Sequence, residues 1–170
     1  MVVTGNAELS ERIGFYQNAI GAVLGPQDSW LTVRGLKTLP LRIRQQQDNA
    51  GVIANWLVAH PHVRHVYYPG LPNHPGRAIL DREHSGYGGM ISFEVDDAAR
   101  VPPLLAGVKV FTFAESLGGV ESLITYPAIQ THADMEAPLR ERLGITDRLV
   151  RLSVGIEDVG ELMADLQEVL

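Results

Sequence analysis

The sequence predicts an α+β fold in which helices cover one face of a mostly antiparallel sheet and long helices precede that sheet. The segments GGMISFEV (88–95) and LVRLSVGIE (149–157) alternate strictly between apolar and polar residues. Such alternation is typical of antiparallel strands that have one covered face. Near the end of the chain, apolar residues recur at helical spacing and predict the covering helix. They are Val159, Leu162, Met163, Leu166, Val169 and Leu170.

Two long helices are predicted before the sheet. Asn6 can cap a first helix over residues 7–24, and Gly25–Pro26 can end it. The apolar residues of this helix recur at steps of three and four and are Leu9, Ile13, Tyr16, Ile20 and Val23. A second helical pattern covers residues 28–59, and we expect a kink or a break near Pro40 because proline removes a helical hydrogen bond.

The pattern changes from helix to strand after His60–Pro61. The segment VRHVYYPG (63–70) predicts a short strand that ends in a turn, and Lys109 opens a further predicted strand. Asp158 and Glu161 have the spacing of a capping box at the start of the last helix.

The chain divides by pattern into two regions. We expect residues 1–60 to be the end of a preceding domain together with connecting helices, and residues 61–170 to form an α+β domain. The opening segment MVVTGN (1–6) has the composition of the end of a buried strand.

Composition and charge narrow the classes of function. The chain has 20 acidic and 14 basic residues and a net charge of −6, so it offers no basic surface for the phosphates of nucleic acid. It has no cysteine, which excludes disulfides and thiolate chemistry. Because no apolar run is long enough for a bilayer and no apolar leader is seen, we expect a cytoplasmic protein without nucleic-acid or membrane partners.

Arg151 is the first candidate for a binding residue. The alternation of its strand places Arg151 on the polar side, away from the helix that covers Val150 and Leu152. A guanidinium group held there presents a planar fork of N–H donors that fits a carboxylate. The alternative is an ordinary surface arginine on an open sheet face.

The segment AESLGGVESLITYP (114–127) is the second candidate, because it shows neither helical spacing nor strand alternation. Glycine lets the backbone approach a ligand closely, and Ser116 can offer its hydroxyl and amide groups. The alternative is a tight loop between strands.

The histidines of HPHVRH (60–65) are the third candidate. No acidic cluster accompanies them, and a strand that begins near Val63 can point His65 away from His62. Surface histidines are therefore favoured over a metal site. The sequence has no phosphate-binding loop, no dinucleotide-binding glycine motif and no nucleophile elbow.

Five ordered segments resemble the Cys/Met-metabolism enzymes that use pyridoxal phosphate. This family includes cystathionine gamma-synthases, cystathionine gamma- and beta-lyases, methionine gamma-lyases and homoserine-ester sulfhydrylases. The segments are GPQDSWLTVRGLKTLPLRIRQQQDNAGVIANWL, VYYPGL, GGMISFEV, AESLGGVESLITYPAIQTHA and RLSVGIED. The resemblance spans essentially all 170 residues. It implies the C-terminal small domain of a fold-type I enzyme, preceded by the end of the large domain.

The resemblance implies roles for three residues. Arg151 in RLSVGIE would clamp the substrate α-carboxylate, and Ser116 in ESLGG would lie near that carboxylate and the cofactor. Glu115 would lie toward the distal end of the substrate, although it could instead only order the loop. The implied reactions are elimination or replacement at a C–S or C–O bond of cystathionine, homocysteine, cysteine or a homoserine ester, and the sequence is compatible with synthase, lyase and sulfhydrylase alike.

Pyridoxal phosphate is the cofactor that the resemblance implies for the complete enzyme, and a homotetramer is its implied assembly. In this family the cofactor lysine and the phosphate-binding residues belong to the large N-terminal domain. The only lysines here are Lys37 and Lys109, and neither lies in the cofactor motif. We therefore expect this chain alone to contain no catalytic residue, to hold no covalent cofactor and to bind no metal.

Two hypotheses follow for the chain. In the first, it is the C-terminal part of an enzyme that acts on a small amino acid, and it associates with copies of itself or with an N-terminal portion. In the second, it is a stand-alone, non-catalytic domain that binds a small carboxylate or a partner chain.

Overall fold

A computed structural model describes residues 4–170. Within this range the chain forms seven helices and five strands, with a short 3-10 turn at Ala98–Arg100. The helices are α1 (Ala7–Ile20), α2 (Pro26–Leu36), α3 (Leu39–Val58), α4 (Arg77–Glu83), α5 (Val101–Gly107), α6 (Ala137–Arg142) and α7 (Val159–Val169). The strands are β1 (Val63–Tyr67), β2 (Met90–Val95), β3 (Thr112–Phe113), β4 (Leu123–Thr125) and β5 (Leu149–Ser153). The first half of the strand-like opening segment lies outside the described residues.

The five strands form one sheet in the order β1-β2-β5-β4-β3. The pairs β1–β2, β2–β5 and β5–β4 are antiparallel, and the edge pair β4–β3 is parallel. The predicted mostly antiparallel sheet is therefore confirmed. Its central strand is β5, which is hydrogen-bonded to β2 on one side and to β4 on the other.

One face of the sheet carries the hydrophobic core. Phe93 lies opposite Val150, and Ile91 lies opposite Leu152, which in turn lies opposite Ile124. These side chains pack with buried residues of three helices, which are Ala50, Ile53, Ala54 and Leu57 of α3, Val101 and Leu104 of α5, and Leu162 and Leu166 of α7. The covering helix predicted at the end of the chain is confirmed, and α3 and α5 join it.

The other face of the sheet is polar at its centre. Ser92, Arg151 and Thr125 lie side by side across β2, β5 and β4. No described helix contributes core residues to this side, because successive side chains of a strand point to opposite faces and the apolar set is used on the first face. Arg151 thus lies on the face opposite the helix-covered core, where its neighbours Thr125 and Ser153 are only 1% and 3% exposed.

The N-terminal helices differ in detail from the prediction. Asn6 caps α1 as expected, since its side chain accepts a hydrogen bond from the backbone N–H of Leu9. The helix ends at Ile20 rather than at residue 24, because Gly21 adopts the left-handed conformation with φ 68°. The predicted break near Pro40 is confirmed: α2 ends at Leu36, and Pro40 lies in the first turn of α3.

The described chain forms two compact units, of which the first ends at Leu39 and the second is Pro40–Leu170. Most of α3 belongs to the second unit because its buried residues pack in the core of the sheet. The units therefore divide earlier than residue 60. The predicted boundary at residue 60 separates the end of a preceding domain from the α+β domain. It is a different boundary from that of the two units, and it stays a prediction. Among the described residues, no helix combines the length and apolar character that a membrane crossing requires.

The strand predicted to open at Lys109 is wrong. Residues 109–111 are irregular, and β3 begins at Thr112. The backbone N–H groups of Lys109, Val110 and Phe111 all donate to the carboxylate of Asp165 on α7, at 2.7, 3.0 and 2.9 Å. Asp165 is only 5% exposed. A buried carboxylate therefore replaces strand pairing as the partner of three backbone donors.

We predict that Asp165→Ala lowers the free energy of unfolding by about 3–5 kcal/mol, because several buried N–H groups lose their acceptor. Urea unfolding of the protein that carries this chain measures the change. Glu168→Ala is the matched control on the same helix, since Glu168 makes an exposed ion pair with Lys109. That control should cost no more than about 1 kcal/mol. Equal losses for the two variants would contradict the role of Asp165.

Candidate functional site

Arg151 lies in the middle of the central strand and is half-buried. Its Nη2 donates to the backbone carbonyl of Glu115 and to the Thr125 hydroxyl, each at 3.2 Å. The Thr125 hydroxyl in turn donates to the carbonyl of Ala114 at 2.8 Å. The structure thus brings Arg151 to the segment that carries Glu115 and Ser116, and both acceptors of the guanidinium are uncharged.

The guanidinium of Arg151 retains unused donor capacity. Its Nε is buried and has no hydrogen-bond partner among residues 4–170, and none of the ion pairs seen there involves Arg151. The Nε atoms of Arg140 and Arg148 are also unpartnered, so this feature alone does not mark a ligand site. What distinguishes Arg151 is its place at the centre of the sheet face opposite the hydrophobic core, beside a glycine-containing loop.

That loop, residues 115–121, is irregular and largely exposed. Glu115 and Ser116 are both exposed, and the structure shows no side-chain hydrogen bond for either within the range that it describes. The backbone N–H of Gly118 donates to the Ser153 hydroxyl at 2.8 Å. Gly118 has φ 75°, a left-handed conformation that favours glycine. The loop is therefore fastened to the end of β5, two residues after Arg151.

A polar network behind the loop was missed by the sequence reasoning. The Glu157 carboxylate accepts from the backbone N–H of Ser122 at 2.6 Å and from the Ser122 hydroxyl at 2.8 Å. The Ser122 Oγ accepts from the backbone N–H of Gly155 at 2.8 Å. Asn49 of α3 donates to the carbonyls of Gly155 and Glu157, at 3.1 and 2.9 Å. Periodicity carries no signal for such contacts, because they join segments as far as 108 residues apart.

The network leaves no room for a side chain at Gly155. A Cβ there would come within 2.2 Å of the Val120 carbonyl oxygen and 2.3 Å of the Glu157 Oε2. The backbone N–H of Ile156 also donates to the Val120 carbonyl at 2.9 Å. Gly155 is thus the point at which the end of the loop and the segment after β5 approach most closely.

A cavity of the second unit lies elsewhere. It has a volume of about 600 Å³ and is lined by residues of α3 and of the loops around β1 and α4, among them Gln47, Asn55, Tyr68 and Tyr87. Burial, with Tyr87 and Asp48 nearby, raises the pKa of Tyr68 to about 12. The cavity shares no residue with the predicted site. The guanidinium of Arg151 is a more specific chemical feature than the lining of this cavity. The candidate site is therefore the sheet face around Arg151.

The histidines take part in local polar contacts. His62 Nδ1 lies 3.0 Å from the Asp96 carboxylate, which also binds Arg100 at 2.7 Å. Burial lowers the pKa of His60, and the nearby His62 and Arg100 lower it further. No group of three or more candidate metal ligands occurs in the part of the chain that the structure describes.

Lys109 is placed where it cannot serve the site at Arg151. Its Nζ pairs with Glu168 at 2.5 Å, and its backbone N–H binds Asp165, so both contacts are to α7 on the helix-covered side of the sheet. The N–H groups of the Arg151 guanidinium are of the kind that binds a carboxylate. Among residues 4–170, the side chains seen around it supply no amine that could hold pyridoxal phosphate.

Comparison with known proteins gives the family. The family model described as Cys/Met metabolism PLP-dependent enzyme matches residues 1–170. The chain is 52% identical over 170 residues to a cystathionine beta-lyase of Lactococcus lactis subsp. cremoris, covering 100% of this chain and 45% of that protein. It is 51% identical over 170 residues to a cystathionine gamma-lyase of Bacillus subtilis, again 45% of that protein. The chain thus spans about half the length of these relatives.

Solved structures agree with the relatives. The crystal structure of cystathionine gamma synthase from Xanthomonas oryzae pv. oryzae, in complex with cystathionine, matches with a TM-score of 0.91 and 47% identity, over 98% of this chain and 43% of that one. Cystathionine gamma-lyase from Lactobacillus plantarum, complexed with L-serine, matches with a TM-score of 0.88 and 45% identity, over 97% of this chain and 43% of that one. With the match to the family model along its whole length, the chain belongs to the Cys/Met-metabolism PLP-dependent enzymes.

Proposed function

We propose that the protein carrying this chain is a pyridoxal phosphate-dependent enzyme that breaks or forms a carbon–sulfur or carbon–oxygen bond in an amino acid side chain. This chain supplies the residues that bind the substrate α-carboxylate. The observation that carries the proposal is the position of Arg151, whose guanidinium faces the 115–121 loop and has only uncharged acceptors among the described residues. The relatives support a substrate of the cystathionine class, since beta-lyase, gamma-lyase and gamma-synthase all occur among them.

The proposed role of Arg151 follows from the chemistry of its side chain. A carboxylate can accept two parallel N–H···O bonds from a guanidinium, which fixes both its position and its orientation. The neutral oxygens of Glu115 and Thr125 hold Nη2 without neutralising its charge. The full positive charge is therefore retained for an anionic ligand, and a bound α-carboxylate would orient the α-carbon and its proton.

Ser116 and Glu115 are the proposed neighbours of that carboxylate. Ser116 follows Glu115, whose carbonyl contacts Arg151. Its hydroxyl or amide group can donate to the bound carboxylate, near the cofactor. The Glu115 carbonyl contacts Arg151, while its exposed side chain can reach a polar or ammonium-bearing distal group. In this way Glu115 could contribute both to loop order and to selection of the substrate.

The chemistry that pyridoxal phosphate supplies when bound is an electron sink for the charge that develops at the substrate α-carbon. The residues of this chain contribute binding and orientation. Arg151 holds one end of the amino acid, so that a proton on the α-carbon points in a fixed direction. The amine that holds the cofactor is proposed to come from the portion of the enzyme that corresponds to the rest of the relatives' length.

Association with other chain segments is part of the proposal. The N-terminal unit exposes large apolar side chains on α1 and α2, with Phe15 67% exposed and Trp30 55% exposed. Exposed apolar surface of this kind is typical of a contact with further protein. We propose that the rest of the enzyme or further copies cover it, within a homo-oligomer. The cytoplasmic location stays a prediction.

We predict that Arg151→Ala in the complete enzyme lowers kcat/KM for L-cystathionine by at least about a hundredfold, or about 2.7 kcal/mol. The reason is the loss of a charge-assisted, bidentate contact that also aligns the α-proton. Steady-state kinetics measures the effect, and Ser116→Ala should cost less because the loop amides remain.

The control for Arg151→Ala is Arg82→Ala, which removes an exposed arginine on α4 that forms an ion pair with Glu83. It should leave kcat/KM unchanged. Circular dichroism confirms that both variants fold. If Arg151→Ala unfolds the protein while activity per folded molecule stays normal, Arg151 is a structural residue and the proposed site is wrong.

We predict that the 170-residue chain alone forms no stoichiometric covalent adduct with pyridoxal phosphate, because its only lysines, Lys37 and Lys109, lie outside a cofactor site. The measurement is absorbance at about 410–430 nm after desalting, with borohydride trapping and peptide mapping. A trapped, stoichiometric adduct on either lysine would contradict the prediction. If the natural protein has the mass of this chain alone and binds carboxylates without turnover, the non-catalytic hypothesis replaces the enzyme.

A further inference from the structure

We infer that Glu157 is a positioning residue for the substrate carboxylate site, because it fixes the loop 115–121 against Arg151. Glu157 does not contact the site itself. The inference rests on the proposed function, since it assigns to Glu157 a role in the site that Arg151 and the loop would form. Four structural observations lead to it.

The loop needs support from outside itself. It has no regular secondary structure, its first residues are exposed, and it contains consecutive glycines at 118 and 119. Glycine has the largest conformational freedom in the unfolded chain, so a glycine-containing loop is ordered only by contacts with its surroundings. Gly119 receives one such contact, because its carbonyl accepts from the Gln46 side chain at 2.5 Å.

The strongest of these contacts is made at the end of the loop. Ser122 is fully buried, and both its backbone N–H and its hydroxyl donate to the single carboxylate of Glu157. Hydrogen bonds to an ionised acceptor are shorter and stronger than those between neutral groups. Because the Ser122 oxygen also accepts from Gly155, the end of the loop, the serine and the segment after β5 form one connected unit.

Glu157 is itself held in place from the opposite side. Asn49 is 2% exposed, and its amide group donates to the carbonyls of both Gly155 and Glu157. The Asn49 Oδ1 accepts from Gln45 at 2.8 Å, which fixes the orientation of the amide. The segment that follows β5 is therefore attached to α3 and, through α3, to the core.

The missing side chain at Gly155 makes this arrangement possible. A Cβ at that position would overlap both the Val120 carbonyl and the Glu157 carboxylate, at 2.2 and 2.3 Å. Val120 is the last loop residue but one, and its carbonyl also accepts from Ile156. The loop can approach the strand end, and Glu157 can reach Ser122, only with glycine at residue 155.

Glu157 is connected to the carboxylate site because it lies close to Arg151 along the chain. Both lie in one continuous segment, six residues apart, and the loop contacts that segment at both places. Glu157 binds the residue that follows the loop, while Arg151 binds the carbonyl of the first loop residue. If the Glu157 contact is lost, the loop keeps its contacts at Gly118, Gly119 and Val120 but loses the attachment at its end. We therefore expect larger motion of the loop relative to the guanidinium and a less well-defined carboxylate site.

A double-mutant cycle in the complete enzyme tests the inference, with L-cystathionine as substrate. We expect Glu157→Ala to lower kcat/KM at least about tenfold, chiefly by raising KM, when rates are normalised to folded protein. In an Arg151→Ala background the same change should lower kcat/KM less than about threefold, because the site that Glu157 positions is already disabled. Glu157→Gln, which keeps one acceptor oxygen, should restore part of the loss.

The control is Glu141→Ala, an exposed glutamate on α6 that should change neither parameter. Hydrogen exchange in the complete enzyme provides a second readout, in which Glu157→Ala should increase exchange across residues 115–122 and leave β2 and β5 unchanged. If Glu157→Ala does not fold, the cycle is carried out with Glu157→Gln, and an additive result there overturns the inference.

The outcomes separate the two proposals. If Arg151→Ala keeps normal kcat/KM, the proposed function fails. If Arg151→Ala is impaired but Glu157→Ala is normal, or if the losses of the two variants simply add, the carboxylate site stands and the positioning role of Glu157 is wrong.

Discussion

The antiparallel pairing of β2 with β5 is the constraint from which the arrangement of the chain follows. In this register Ile91 meets Leu152 and Phe93 meets Val150, so the apolar side chains of both strands share one face. Burying that face against three helices supplies the hydrophobic free energy of the unit. Because strand residues alternate in direction, the same pairing sends Arg151 to the opposite face. A shift of one residue in register would bury the guanidinium in the core, where an unpaired charge is strongly unfavourable.

Two carboxylates in the C-terminal part of the chain replace sheet hydrogen bonds where the backbone is irregular. Asp165 accepts from three consecutive N–H groups before β3, and Glu157 accepts from Ser122 before β4. Each adds a side-chain acceptor at the edge of the sheet where the strands are short, since β3 has two residues and β4 three. The short edge of the sheet is thus ordered by side chains of the segment that ends the chain, and the loop between β3 and β4 gains a defined position from them.

Most of the sheet and the helices could be predicted from the sequence, because alternation and helical spacing record which side of an element is buried. The same alternation was sufficient to place Arg151 on the face opposite the hydrophobic core. The end of α1 was misplaced because Gly21 adopts a left-handed conformation four residues before the Gly25–Pro26 signal. The strand at Lys109 was wrong because a side chain on α7, and not a neighbouring strand, takes its backbone donors.

The contacts that support the candidate site could not be predicted from the sequence, for a related reason. Glu157 and Ser122 are 35 residues apart, and hydrogen bonds from side chain to backbone leave no period in the sequence. Only the three-dimensional pairing of β4 with β5 brings them together.

An arginine on an open sheet face is common, and by itself it holds a carboxylate weakly because water competes for both groups. In this structure the carbonyl of Glu115, from the adjacent loop, accepts from the Arg151 guanidinium and restricts its orientation. If Arg151 binds a carboxylate as proposed, Glu157 and Ser122 act on that site through the loop and not by contact with the ligand.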